Sequence, residues 1–163
     1  MICTNTANQI LQALFGVSSS YSASSSLYLG LSSAQPKADG TGFVEPTAPS
    51  YSRKQIASTK SSGTSGTSVI KESMFGNADG GVITNKTEIL MNTARESWGV
   101  LKYWFITSSS SKGDGTAILW GDLTGEIAET GVAAETVPVF YENELKASID
   151  VSLADWTPSG SES

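Results

Sequence analysis

Histidine is absent from the 163-residue chain, and cysteine occurs once, at Cys3. Without imidazole there is no unperturbed side-chain base near neutral pH, no Ser-His or Cys-His nucleophile pair, and none of the commonest transition-metal ligand. A single cysteine excludes an intrachain disulfide, and with no basic neighbour or resolving thiol Cys3 reads as a packing residue. Positive charge is also scarce: ten Lys and Arg stand against sixteen Asp and Glu, a formal net charge of −6. The cations form no cluster, so a phosphate backbone would meet net repulsion and nucleic acid is not an expected partner. No apolar run approaches the ~20 residues of a membrane-spanning helix, so no membrane partner is expected. The start Met1-Ile2-Cys3-Thr4-Asn5 has neither the basic n-region nor the apolar h-region of a signal peptide, which leads to an expectation of cytoplasmic synthesis.

The composition that remains suits one folded domain, with 39% hydrophobic and 16% charged residues. Thr6-Ala7-Asn8-Gln9 has capping-box spacing, and Ile10, Leu11, Leu14 and Phe15 share a helical face before Gly16. That pattern predicts an amphipathic helix over 6–15. The expected organisation is a helical segment at 1–16, a Ser-rich linker at 17–26, a β-rich domain at 27–157 and a polar tail at 158–163.

Within the domain, Leu27, Leu29 and Leu31 alternate as in a strand with one packed face. Pro36, Pro46, Pro49, Asp39-Gly40 and Gly42 make 34–50 a long loop. Strands are expected at 51–58 and 67–75 around a Ser/Gly connection, and an extended segment at 82–91. Residues 98–107 carry apolar groups on both faces, as an interior strand does. The turn Lys112-Gly113-Asp114-Gly115 should join that strand to 116–123 as a hairpin. Alternation at Leu145, Ala147, Ile149, Val151 and Leu153 predicts a last strand, paired with 136–141 across Glu142-Asn143-Glu144. One short N-terminal α-helix and seven or eight such strands point to a mainly β, single-domain antiparallel fold: a β-sandwich, a jelly-roll-like arrangement or a barrel.

Candidate chemistry is thin. Asp39, Asp79 and Asp114 each lie beside glycine, yet none has the Asp-x-Asp-x-Asp-Gly spacing of a calcium loop, so they read as turn formers and no metal or cofactor is expected. Glu142 and Glu144 flank a tight connection, which offers no cleft for paired catalytic acids. Trp98, Trp104 and Trp120 are embedded in apolar runs and read as core, whereas Trp156 stands before a polar tail and is the best exposed aromatic. Asn85-Lys86-Thr87 matches a glycosylation sequon, which occurs by chance outside secreted eukaryotic proteins. The chain is expected not to be an enzyme.

Several stretches together resemble a known family. They are Leu27-Tyr28-Leu29-Gly30-Leu31-Ser32-Ser33-Ala34-Gln35-Pro36, Asp39-Gly40-Thr41-Gly42, Glu45-Pro46 and Tyr51-Ser52-Arg53, followed by Asn77-Ala78-Asp79-Gly80-Gly81, Thr84-Asn85, Trp98-Gly99-Val100 and Ala117-Ile118-Leu119-Trp120-Gly121-Asp122-Leu123. In this order they resemble small virion proteins of tailed bacteriophages, often labelled tail fibre proteins. The Ser-rich spacer at 18–26 departs from that pattern. The resemblance implies a particle component made in the host cytoplasm, with no catalytic residues to carry over.

A fibre shaft usually needs sustained heptads or repeated β motifs, and neither is present. The expectation is therefore a capsid decoration or cement protein, a homo-oligomer that bridges copies of the major capsid protein through the N-terminal helix, 34–50 and 60–67. Its candidate partner contacts are Ile10, Leu14, Phe15, Phe43, Pro46, Tyr51 and Trp156. The alternative location is the tail, as a tail, baseplate or fibre accessory subunit bound to tail proteins. A reading of a different class is a host-surface carbohydrate-binding module with Trp156 as the stacking platform. A carboxylate-dependent glycan hydrolase stands last.

Overall fold

The computed structural model describes residues 2–4, 6, 10, 26–61 and 69–148. They are mainly β, with strands β1 (Ser26–Ser32), β2 (Lys54–Ser61), β3 (Val69–Ser73), β4 (Val82–Thr84), β5 (Ile89–Leu90), β6 (Tyr103–Thr107), β7 (Ala117–Asp122), β8 (Val139–Phe140) and β9 (Lys146–Ser148). A single helical turn, α1 (Glu126–Glu129), follows β7. Thr4, Thr6 and Ile10 are helical, in line with the expected N-terminal helix, whose other residues lie outside those described, as do the Ser-rich linker and the polar tail.

Five strands form one antiparallel sheet in the order β3-β2-β1-β6-β7. Facing it are two short antiparallel ribbons, β4-β9 and β5-β8. The main core lies between these layers: Leu29, Leu31, Ile56, Trp104 and Ile106 from the sheet meet Ile89, Met91, Trp98, Leu101, Phe140 and Leu145. The expected antiparallel β fold is therefore present as a layered structure. Among the described residues no closed barrel forms, which corrects that alternative: β3 and β7 end the sheet without pairing to each other.

The middle strands are buried on both sides, which is why their sequences are apolar at successive positions. Along β6, Trp104 and Ile106 enter the main core while Tyr103 and Phe105 point to the other face. There a smaller cluster gathers Cys3, Phe105, Ala117 and Trp120. Cys3 and Thr4 are drawn onto it by Cys3 N–H donating to Ile118 O (3.0 Å) and Thr4 N–H to Ala38 O (2.8 Å).

Two glycines make this double-sided packing feasible. Gly30 pairs with Phe105 across β1 and β6, and a Cβ at Gly30 would lie 2.3 Å from Phe105 Cζ. Gly121 pairs with Trp104 across β6 and β7, and its Cβ would lie 2.6 Å from Trp104 Cζ2. Each ring fills the space that the missing side chain leaves, one on each face of the sheet.

The structure corrects four sequence expectations. The first strand after the long loop starts at Lys54, because Tyr51 and Arg53 are committed to side-chain bonds instead of a ladder. The segment 82–91 breaks into two strands at Asn85. That fully buried amide donates to Thr87 O (2.9 Å) and Tyr141 O (2.8 Å) and accepts from Leu145 N–H (3.0 Å), so it holds three backbone segments at one point. Residues 98–102 leave the strand pattern because Gly99 takes φ +78° and pairs with Val132. Finally, the described part of the last strand, 145–148, does not pair with 136–141. β9 pairs with β4 and β8 with β5, the reversal at Asn143 (φ 67°) sending the chain across to the other ribbon. Residues 149–153 lie outside those described.

Gly30→Ala and Gly121→Ala should each destabilise the fold by about 1–3 kcal/mol, the usual cost of forcing an extra carbon into a filled site. Urea unfolding followed by tryptophan fluorescence measures this. A midpoint unchanged from wild type would show that the rings move aside freely.

Candidate interaction surface

The long loop after β1 is ordered throughout its described course. Glu45 lies at its centre and faces Arg53 at the end of the same loop. The guanidinium grips the carboxylate with two bonds, Nε to Oε1 (2.9 Å) and Nη2 to Oε2 (2.8 Å), with both side chains almost wholly buried. Its remaining arm donates to Ser109 O (2.8 Å). Glu45 also accepts from Tyr51 Oη (2.8 Å) and from the Gly113 N–H (2.6 Å). Tyr51 Oη in turn accepts from the Leu31 N–H (2.9 Å). One ion pair thus joins the loop, β1 and the β6-β7 connection. Arg53 also lies 5.6 Å and 5.3 Å from the ring centroids of Phe43 and Phe105, which stack on each other at 4.4 Å.

A second polar cluster borders it. Glu96 accepts from the Ser50 N–H (2.9 Å) and hydroxyl (2.7 Å), which hold its carboxyl below the usual carboxylate range. Ser50 Oγ accepts from Trp98 Nε1 (3.0 Å). Asp39 receives the Thr41 N–H (2.9 Å) and hydroxyl (2.7 Å), the turn geometry expected of it, and its carboxyl is likewise lowered.

These bonds settle where several candidate contacts lie. Tyr51 and Pro46 are buried inside the chain and Phe43 is half-buried against Phe105, so the three hold the loop onto the sheet instead of facing outward. Ile10 is half-buried. Leu14, Phe15 and Trp156 lie outside the described residues, as does most of 60–67. Trp98, Trp104 and Trp120 are buried as expected. Asn85, the sequon residue, is buried with its amide nitrogen fully engaged.

Two open depressions are present. One, of about 690 Å³, is lined by Pro49, Ser50, Asn92, Arg95 and Glu96; the other, of about 540 Å³, by Gln55, Ser58, Glu72, Met74 and Lys86. Both are broad and shallow, without the enclosure that excludes water from a reacting group. Among the described residues no three His, Cys, Asp or Glu side chains converge as metal ligands.

Three of the exposed large apolar groups among the described residues fall on the β5-β8 ribbon and its flanks. Register pairs Leu90 with Val139 and Ile89 with Phe140. Ile89 and Phe140 point into the core, so Leu90 and Val139 point out, and Val137 and Tyr141, two residues either side of Val139, share that outer face. Leu90 is 47% exposed, Val137 39% and Tyr141 60%. Sequence reading missed this face because Val137 to Tyr141 is apolar at every position and shows no alternation.

Compared with models of known families, residues 1–148 match that of podophage GP4 fiber I protein gp80. Among curated proteins, none matches the chain.

Two outcomes follow from the buried network. Arg53→Met should cost about 3–5 kcal/mol by stranding a buried carboxylate, whereas Arg53→Met with Glu45→Leu should recover much of it; equal losses in both variants, by urea titration, would refute this account. Burial, then the adjacent Glu45 carboxylate, push the Tyr51 hydroxyl well above its ordinary value near 10. A raised folded-state pKa means stability that is complete below the unfolded-state value and declines above about pH 10. Tyr51→Phe should flatten that alkaline decline; an identical slope in the variant would remove Tyr51 as its cause.

Proposed function

Since the chain belongs to the podophage GP4 fiber I protein gp80 family, we propose that this phage fibre protein is a non-enzymatic structural subunit carried at the tail, working through contacts with other tail proteins. The observation that carries the reading is the span of the match, 1–148, which includes every described element from the N-terminal bridge at Ile2 to β9. The internal economy of polar groups supports a structural role. Glu45, Arg53, Tyr51 and Asn85, whose side chains are buried, are each consumed by bonds within the fold. None is left pointing into a cleft where a substrate could be polarised.

Of the two particle locations expected from sequence, the family favours the tail over the capsid surface. The cement reading rested on the absence of heptads and repeats. That absence fits equally a compact subunit fixed on or near a fibre, without itself forming a shaft. The carbohydrate-binding reading rested on Trp156, which lies outside the described residues.

Cryo-electron microscopy of the intact particle, with copies of this chain counted, tests the location. A small number of copies at the tail is expected. Hundreds of copies distributed over the icosahedral shell would overturn the tail reading and restore the cement role.

A further inference from the structure

Among the described residues, the outer face of the β5-β8 ribbon gathers three exposed large apolar side chains, Leu90, Val137 and Tyr141, around the half-buried Val139. Leu90 and Val139 are cross-strand partners, and Val137 and Tyr141 extend the row along β8 and its flanks. Val44, also exposed at 52%, stands on the separate loop between β1 and β2. A row of this kind on a two-stranded ribbon gains nothing for the isolated chain, because its inward neighbours Ile89, Pro138 and Phe140 already anchor the ribbon.

The rim of the row is acidic. Continuing the register, Glu88 stands opposite Tyr141 two pairs beyond Leu90 and Val139, Glu135 lies two residues before Val137, and Glu142 and Glu144 follow Tyr141; all four are exposed. The Glu144 carboxylate accepts the Tyr141 N–H (2.7 Å), which fixes it beside the aromatic ring's backbone. Of the cations nearest in sequence, Lys86 lines the depression with Gln55 and Met74 and Arg95 the one with Ser50 and Glu96, while Lys146, exposed two residues after Glu144, belongs to the other ribbon and pairs with Thr84.

These observations select the occupant. A second copy docked face to face would bring eight like-charged carboxylates together around an apolar strip of four side chains, a juxtaposition that their mutual repulsion strongly disfavours. A partner with an apolar surface bordered by Lys and Arg meets both features, its aliphatic side chains covering the row and its cations offsetting the four glutamates. We propose that the Leu90-Val137-Val139-Tyr141 face is the surface by which this chain docks on such a basic-rimmed protein of the particle. The inference rests on the structural role proposed above and names the surface that carries it.

The test uses particles assembled without this chain, incubated with purified full-length protein and then washed and counted for bound copies by quantitative mass spectrometry. Wild type should be retained. Tyr141→Ser and Val137→Ser, checked for unchanged urea midpoints, should each lower retention at least about tenfold, Glu88→Lys with Glu142→Lys should lower it also, and Val44→Ser should leave it unchanged. Retention of the Tyr141 and Val137 variants at the wild-type level would overturn the proposed face while leaving the structural role intact. Wild type failing to bind at all would instead overturn the role and the face with it. Dimerisation of the free protein that Tyr141→Ser abolishes, measured by light scattering, would assign the face to a second copy and overturn the basic-rimmed partner.

Discussion

The pairing of Glu45 with Arg53 is the constraint on which the rest of the molecule depends. An isolated charge buried at this depth would be prohibitively unfavourable, so each side chain is retained only because the other is present and further bonds to Tyr51, Gly113 and Ser109 support the pair. The consequence reaches well beyond the pair. Glu45 fastens the Gly113 turn, Arg53 the carbonyl of Ser109, and Tyr51 the backbone of Leu31. A loop of some twenty residues without regular structure thereby becomes the cover of the sheet's second face, with Phe43 laid on Phe105. Its order comes from side-chain bonding where a ladder would otherwise supply it.

Much of the fold was legible in the sequence, for identifiable reasons. Leu29 and Leu31 announced β1 by their spacing, and the Gly-rich turn at 112–115 announced the β6-β7 hairpin. The errors cluster where a side chain overrides the local pattern. Asn85 lies in a run that reads as continuous strand, and only its bonds to Thr87, Tyr141 and Leu145 reveal that it ends one ribbon and begins another. Tyr51 and Arg53 look like the start of a strand, and Tyr51 also like a partner contact. A charge and a carboxylate eight residues apart carry no sequence signature of burial, so the network was invisible until its geometry was known.

The candidate surface was less legible still, for a related reason. A strand buried on one face alternates, and the alternation tells inside from outside. Val137, Pro138, Val139, Phe140 and Tyr141 present apolar groups on both sides, and the inward members conceal the outward ones. Residues prominent by composition, such as Phe43 and Tyr51, belong to the interior, while the exposed row sits in a stretch that sequence reading assigned only to strand pairing. In this chain, function by contact and stability by burial draw on the same residue types, and only register separates them.

The bridge of Ile2 to Leu119, together with the bonds from Cys3 to Ile118 and from Thr4 to Ala38, has a temporal meaning. Residues 2–4 find their place only after β7 has been made, more than a hundred positions later in the chain. Until then the face of the sheet that carries Phe105 lacks part of its cover. Closure of that face is thus coupled to the synthesis of β7, and a chain that stops short of it leaves the cluster around Phe105 open.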